Sequence, residues 1–450
     1  MGTPRPPLPP GPYLVLGLAR SGEAAALALK AHDEAVFGAD SGSAERPALA
    51  QAARRLREAS VEVHMDVSDD RLLAGARALV KSPGVPHTAP LVQAAQAAGL
   101  PVLGELELAW RLIPNDFIAV TGTNGKTTTT EWIGHVHRTA GAPVAVAGNV
   151  GTALSTLIGT LPADATVVCE ASSFQLEDTL AFAPDAATLL NVTPDHLDRH
   201  GSFKNYVDAK RQAFVRQGPD QVTVLPDDLG FEVGGDGERV LFGATARAAL
   251  KHVEGDLRWQ GTPLLKVDEI ALPGPHNLQN AMATAAICLA RGLEPEAVAA
   301  GLRSFAGVPH RLELVAEVGG VRYVNDSKAT NVASTIVALR SFGGDVHLIA
   351  GGQGKAQDFS ALAPLVAQRC AAVYLIGADG DQIGKALAGT GVPLIEAGDL
   401  ETAVDIAGQR AGDGSVILLS PACASFDQFR DFEARGERFR ELARARAGEG

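Results

Sequence analysis

Residues 118–130 read Ile-Ala-Val-Thr-Gly-Thr-Asn-Gly-Lys-Thr-Thr-Thr-Thr, an apolar run that passes through a glycine-bearing turn into a lysine and a string of hydroxyls. This order of residue types suits phosphate. The N–H groups of Gly122, Thr123, Asn124 and Gly125, the positive end of a helix opening at Lys126-Thr127-Thr128, and the Lys126 ammonium can together surround a polyphosphate, while Thr127 offers its hydroxyl to Mg²⁺. Gly122 precedes Gly125 by three residues, where the general phosphate loop has five. A plain strand-to-helix turn, the alternative, would need the glycines but not the lysine.

Other chemistry-bearing residues follow apolar runs in the same way. Thr166–Glu170 ends on a carboxylate and leads into Ala-Ser172-Ser-Phe-Gln-Leu-Glu; Mg²⁺ on Thr127 would need such an oxygen ligand. Asn191-Val-Thr-Pro-Asp-His196 places an imidazole that is either a satisfied loop residue or a ligand. Asn277 and Asn280 stand at a helix start, where capping is the competing explanation. Arg311, in Pro-His-Arg, lies between two blocks of sequence, where a guanidinium could clamp a phosphoryl group. Asn-Asp326-Ser-Lys328-Ala-Thr330-Asn, Gly-Gly-Gln-Gly-Lys355 and Ser-Pro-Ala-Cys-Ala-Ser425-Phe426 each close a further strand with anion-binding types. Gly17-x-Ala19-x-x-Gly22, with Asp40 closing the next strand, is a weak dinucleotide fingerprint, because alanine replaces the glycine that admits a pyrophosphate. A nucleotide phosphate there and a purely structural turn both remain open.

These residues must be held by parallel α/β units, since strand-like runs alternate with alanine-rich helical runs through three blocks. The first begins with the strand-like run 13–16, continues through Glu-Ala-Val-Phe-Gly-Ala-Asp40 and reaches Ala-Leu-Val-Lys-Ser-Pro-Gly-Val-Pro at 78–86. The second carries the phosphate loop, strands 166–170 and 187–191, a short-stranded stretch over 222–272 expected to be a meander, and a helix over 277–291. The third has strands 322–325, 346–350, 372–376 and 416–419, then a helical run whose Phe426, Phe429, Phe432 and Phe439 are expected in the core. Lys210 reads as a helix-surface lysine.

With 450 residues, 46% hydrophobic and 20% charged, the chain can bury several cores. Its net charge of −13 argues against a nucleic-acid or anionic-membrane partner. Four scattered cysteines suit reduced thiols in a cytoplasmic protein. No apolar stretch is long enough to span a bilayer. The proline-rich residues 1–12 are expected to be a disordered tail. Because arginine is the default cation, lysines inside glycine-rich motifs (Lys126, Lys328, Lys355) suggest a need for a compact ammonium.

Over residues 13–445 the chain resembles the Mur ligases. Thr-Gly-Thr-Asn-Gly-Lys-Thr-Thr is their ATP loop, shared with folylpolyglutamate synthases, and Glu-x-Ser-Ser-Phe-Gln-Leu, Asn-Val-Thr-x-Asp-His-x-Asp, His-Asn-x-x-Asn, Pro-His-Arg and Asn-Asp-Ser-Lys-Ala-Thr-Asn are progressively more specific. Leu-Ser-Pro-Ala-Cys-Ala-Ser-x-Asp-Gln-Phe is similar to the members that add D-glutamate, and the Asp-Asn-Pro-Arg run of members adding diaminopimelate or lysine is absent. The resemblance implies an α/β fold of three domains: a Rossmann-like UDP-binding domain (13–105), a central ATP-binding P-loop domain (106–307) and a Rossmann-like ligase domain (308–450). It implies that ATP drives the joining of D-glutamate to UDP-N-acetylmuramoyl-L-alanine through an acyl phosphate, in cytoplasmic peptidoglycan precursor synthesis, by a monomer. Lys126 would hold phosphates, Thr127 and Glu170 one Mg²⁺, and His196 and a carbamylated Lys210 a second. Asn280 and Asp326, with Asn277 beside them, would face the nucleoside, and Arg311 the γ-phosphate. UDP would contact Gly17, Ser21, Asp40, Ser41, Ser82 and Gly84, and Asn149 and Ser172 the sugar-peptide. Lys328, Thr330, Lys355, Ser425, Phe426 and Phe432 would form the D-glutamate corner. Closure of the third block about 307–311 is expected.

Overall fold

The computed structural model describes residues 5–43, 46–67, 70–272, 274–354 and 357–448. The chain divides into two compact units, Met1–Ala306 and Gly307–Gly450.

Short apolar runs buried on both faces make parallel strands. In the first unit β1 (Tyr13–Leu16), β2 (Val36–Ala39), β3 (Glu62–His64), β4 (Ala78–Lys81) and β5 (Val102–Gly104) form a parallel sheet of order β3-β2-β1-β4-β5. Strand order reverses between β1 and β4, so their carboxyl ends open a crevice in which α/β sheets bind ligands. Gly17 follows β1 and Ser82 follows β4. Their loops touch: the Ser82 hydroxyl donates to the Gly17 carbonyl at 2.7 Å. The helix Arg20–Ala31 starts against that carbonyl; a Cβ on Gly22 would sit 1.7 Å from it, so only glycine permits the approach.

The second sheet has nine strands. β6 (Phe117–Thr121) lies between β8 (Thr166–Glu170) and β9 (Ala186–Leu189), with β7 (Val144–Gly148) outside β8. Register sets Val120 beside Glu170 and Thr121 beside Leu189, which brings the carboxyl ends of all three strands to one edge. The core beneath is built from Phe117, Ala119, Val167, Cys169, Ala187 and Leu189, closed by Trp110, Phe182 and Phe214. The sheet continues through β10 (Val222–Pro226), β11 (Glu238–Gly243), β12 (Leu250–Val253), β13 (Asp256–Trp259) and β14 (Thr262–Lys266). The expected meander over 222–272 is half right: β10, β11 and β12 pair parallel, and only β12-β13-β14 run antiparallel. The short strands conceal this, because loop connections rather than helices return the chain.

In the second unit β15 (Glu313–Val318), β16 (Val321–Asn325), β17 (Val346–Gly351), β18 (Cys370–Ile376), β19 (Leu394–Gly398) and β20 (Val416–Leu419) take the order β15-β16-β20-β17-β18-β19, parallel except for β15. The helix Phe432–Ala447 packs Phe439 and Ala443 into the core. Phe426 does not follow the expectation: it precedes that helix and is 67% exposed. Residues 426–431 form turns, which removes the helical spacing that would carry Phe426 inward.

Residues 5–12 also depart from the expected disordered tail. The Arg5 guanidinium donates to the carbonyls of Trp110 and Asn115 and lies 5.0 Å from the Phe117 ring centre, so a cation buried on aromatic faces fixes the segment. Among the described residues, no helix is long and apolar enough to cross a membrane.

Candidate active site

At the reversal point of the first sheet is a cavity of about 500 Å³. Six residues expected there, Gly17, Ser21, Asp40, Ser82, Gly84 and Asn149, line it together. Asp40 supports the wall, with one carboxylate oxygen taking the Leu18 N–H and the other the Gly42 N–H, both at 2.7 Å. Ser41 is exposed next to it. Ala19, Arg20 and Pro83, which fall inside the expected Gly17–Gly22 and Ser82–Gly84 segments, also line the cavity, and Val85 and Gln175, not anticipated there, complete its wall. Arg20 sits inside the Gly17–Gly22 motif, so its cationic head was the available signal. Ser172 is not part of the wall. Its hydroxyl caps the short helix Ser173–Leu176 by accepting from the Gln175 N–H at 3.2 Å, and thereby orients Gln175.

Asn149 joins this cavity to the second sheet, because its side-chain amide donates to Glu170 Oε1 at 3.0 Å. Glu170 is buried, 3% exposed, although it closes its strand. Among the described residues no lysine, arginine or histidine forms an ion pair with it. A buried carboxylate so poorly neutralised, at the same sheet edge as the buried Thr127 hydroxyl, has the hard-oxygen chemistry that suits Mg²⁺.

The phosphate loop runs between β6 and the helix Lys126–Thr139. Lys126 Nζ donates to the carbonyls of Gly122 at 3.0 Å and Thr123 at 2.9 Å. The loop is pinned from outside. Thr123 N–H donates to the Asn191 carbonyl and Asn124 N–H to the Asn191 side chain, each at 2.9 Å. Asn280 packs on the other side: it lies six residues into the helix Pro275–Ala290, whose cap is Gly274, so neither it nor Asn277 is the cap. Thr128 is half-buried on the helix's first turn.

Lys210 corrects the expectation of a surface lysine. It is 1% exposed, near the end of the helix Phe203–Arg211, and its Nζ donates to the Gly122 carbonyl at 2.7 Å while lying 4.5 Å from the Tyr206 ring centre. Burial, then repulsion from Lys126, pushes this amine well below the ordinary lysine value. His196, half-exposed with φ of 49°, lies with its ring centre 4.9 Å from that of Phe174.

In the second unit the Asp326 carboxylate is buried, accepting from the Ser420 hydroxyl at 2.7 Å and the Leu312 N–H at 3.2 Å. Burial pushes it up to about 7, against the hydrogen bond from Ser420 and the charge of the exposed Arg311. Lys328 and Thr330 are half-buried on the segment that follows β16. Ser425, 2% exposed, has a buried hydroxyl with no hydrogen-bond partner among the described residues, a donor whose burial is otherwise unfavourable. Sequence reasoning missed Arg435. Its guanidinium, 1% exposed, donates to the Ser327 hydroxyl and carbonyl and to the Cys423 and Ala424 carbonyls. Ser327 in turn donates to the Phe432 carbonyl at 2.8 Å, so one cation ties together the segments bearing Lys328, Ser425 and Phe432. Lys355 lies outside the described residues.

A cluster beside the cavity was also unforeseen. His87 Nε2 lies 3.1 Å from Asp178 Oδ1 and 3.3 Å from Glu177 Oε1. The bond to Asp178, then that to Glu177, pushes the imidazole up to about 9. A raised histidine stabilises the fold fully below its unfolded value of ~6.5, and that contribution is lost as pH rises through about 9. Melting curves of wild type and His87→Gln should therefore differ most near pH 6 and converge by pH 10. A difference independent of pH would show that His87 stays uncharged.

Three family models match the chain: the Mur ligase MurD-like N-terminal domain over 12–104, the Mur ligase middle domain over 120–288, and the Mur ligase glutamate ligase domain over 310–423. The chain belongs to the Mur ligase family. Among its relatives is the UDP-N-acetylmuramoylalanine–D-glutamate ligase of Acidobacterium capsulatum, 42% identical over 97% of this chain and 96% of that one. The enzyme of the same name from Pelotomaculum thermopropionicum is 40% identical over 95% and 96%. Among solved structures, the UDP-N-acetylmuramate-alanine ligase of Thermotoga maritima superposes with a TM-score of 0.57 at 19% identity, covering 97% of this chain and 99% of that one. The likeness supports the three-domain α/β fold.

Proposed function

We propose that this chain is the ATP-dependent ligase that joins D-glutamate to UDP-N-acetylmuramoyl-L-alanine in the cytoplasmic synthesis of peptidoglycan precursors. The observation that carries the reading is Asn149, which lines the sugar-nucleotide cavity and hydrogen-bonds Glu170 at the edge of the ATP sheet. A substrate whose UDP rests between Gly17 and Ser82 can extend its peptide past Asn149 toward the phosphate loop. The names of relatives that match almost the whole chain support D-glutamate as the acceptor.

The chemistry follows from the substrates. A carboxylate is a poor electrophile, so its oxygen attacks the γ-phosphorus of ATP and ADP departs, leaving an acyl phosphate. The amine of D-glutamate then attacks the carbonyl carbon, the tetrahedral intermediate expels phosphate, and the amine loses its proton. Lys126 holds the β- and γ-phosphates within the loop of Gly122–Gly125, Thr127 and Thr128, and Arg311 meets the γ-phosphate. Asn277, Asn280 and Asp326 face the nucleoside. Ser41 and Ser172 border the sugar-nucleotide path. Lys328, Thr330, Lys355, the backbone at Phe426 and Phe432, and the Ser425 hydroxyl, which has no hydrogen-bond partner among the described residues, receive the D-glutamate carboxylates. Two Mg²⁺ ions would be held, one by Thr127 and Glu170 and one by His196 and carbamylated Lys210; bound there they supply charge neutralisation where anionic groups converge.

The test is phosphate release from ATP with UDP-N-acetylmuramoyl-L-alanine and D-glutamate, L-glutamate or L-alanine. Release above background with D-glutamate alone is expected; release with L-alanine, or none with D-glutamate, overturns the assignment.

A further inference from the structure

The cavity wall formed by residues 82–85 is not held by its own domain alone. Lys81, the last residue of β4, is completely buried, and its Nζ lies 2.7 Å from Asp178 Oδ2 and donates to the Val85 carbonyl at 2.7 Å. Arg199 Nη2 reaches the same carbonyl at 3.3 Å and Glu177 Oε1 at 2.5 Å. His87 bridges Asp178 and Glu177, and His200 Nδ1 lies 3.5 Å from Glu177 Oε2. The partners come from two places in the second-sheet domain: the segment after Gln175, which itself lines the cavity, and the helix Leu197–His200, which directly follows His196. His87, Glu177 and Asp178 have the spacing of a metal cluster. With Lys81 and Arg199 already on the two carboxylates, however, the arrangement is an ion-pair network.

We propose that this network is a positioning latch: Lys81, Asp178, Glu177 and Arg199 clamp the Val85 carbonyl and so fix the sugar-nucleotide wall relative to the edge that carries Glu170 and His196. The proposal rests on the reading of the cavity as the UDP-sugar site. A buried pair between one residue of the wall's own strand and one beside Gln175 leaves both sides of the cavity no independent freedom. The two cations on one carbonyl oxygen hold the Pro83–Val85 turn at a fixed height. None of the four residues touches the reacting atoms.

Loss of the latch therefore should weaken productive seating of the UDP-sugar and spare the other substrates. For Asp178→Asn and Lys81→Met, the KM for UDP-N-acetylmuramoyl-L-alanine is expected to rise about tenfold or more, since small misplacements at a distance from the chemistry are costly. The KM values for ATP and D-glutamate should stay within about twofold of wild type. A merely structural role would instead lower kcat with the folded fraction and leave all three KM values alone, which would overturn the latch. Because a broken buried pair can prevent folding, the double variant Lys81→Met/Asp178→Leu keeps apolar packing without charge; it should fold and retain the raised KM. A double variant with wild-type KM overturns the proposal. Titration with UDP alone separates the two readings. Wild type that fails to bind UDP removes the cavity assignment and the latch with it; UDP binding with unchanged variant KM values removes the latch only.

Discussion

Lys210→Ala is expected to abolish ligation, lowering kcat by about 10³-fold or more, and acetate or formate added at high concentration is expected to restore part of it. The reasoning begins with burial. An ammonium in this position would be doubly disfavoured, by desolvation and by Lys126, so the amine is held well below its ordinary value. A neutral amine is the form that attacks CO₂: its lone pair forms the N–C bond, a proton leaves, and a carbamate replaces a cation by two oxygens. Arginine has no comparable route. The alanine variant leaves a space that a small carboxylate can enter with equivalent oxygens. Phosphate release with and without acetate measures both halves; a fully active alanine variant would remove Lys210 from the mechanism, and a dead variant that no small acid rescues would leave it a structural amine hydrogen-bonded to the Gly122 carbonyl.

Gly125→Ala should be nearly as damaging. Gly125 has φ of 84°, and an added Cβ would lie 2.2 Å from Asn280 Oδ1. The left-handed conformation alone costs about 1–2 kcal/mol for alanine. The clash adds a displacement of either Asn280 or the loop, and misplacing phosphate donors by about 1 Å costs on the order of 10²-fold in rate. A combined fall in kcat/KM for ATP of about 10²-fold or more is therefore expected. Gly141 is the control, because it has φ of 69° with nothing within 4 Å of its added Cβ. Gly141→Ala should lower the melting temperature slightly and leave the KM for ATP unchanged. Equal kinetic losses in the two variants would mean that backbone strain, and not the contact with Asn280, is responsible.

Local features were legible in the sequence. The limits of β1, β8 and β20 follow from apolar runs bounded by glycine, polar residues or charge, and the cavity residues Gly17, Ser82 and Asn149 belong to motifs adjacent to strand ends. What escaped is long-range. Lys210 meets Gly122 across 88 residues and Arg435 meets Ser327 across 108, and helical position alone does not reveal which charged residue turns inward. Lys81 and Asp178 each look ordinary at the end of an apolar strand and in a polar loop; only their meeting makes them notable. Phe426 failed for the opposite reason, since its spacing with Phe429 and Phe432 imitates a helix where the chain makes turns.

Arg435 has a consequence for how the second unit moves. Its guanidinium makes four hydrogen bonds, shared among Ser327, Cys423 and Ala424, which belong to strand ends separated by about a hundred residues of chain. Segments fastened to one buried group cannot fray independently. Their amides should exchange hydrogen for deuterium as a single cooperative block, with a common opening free energy close to that of the whole unit.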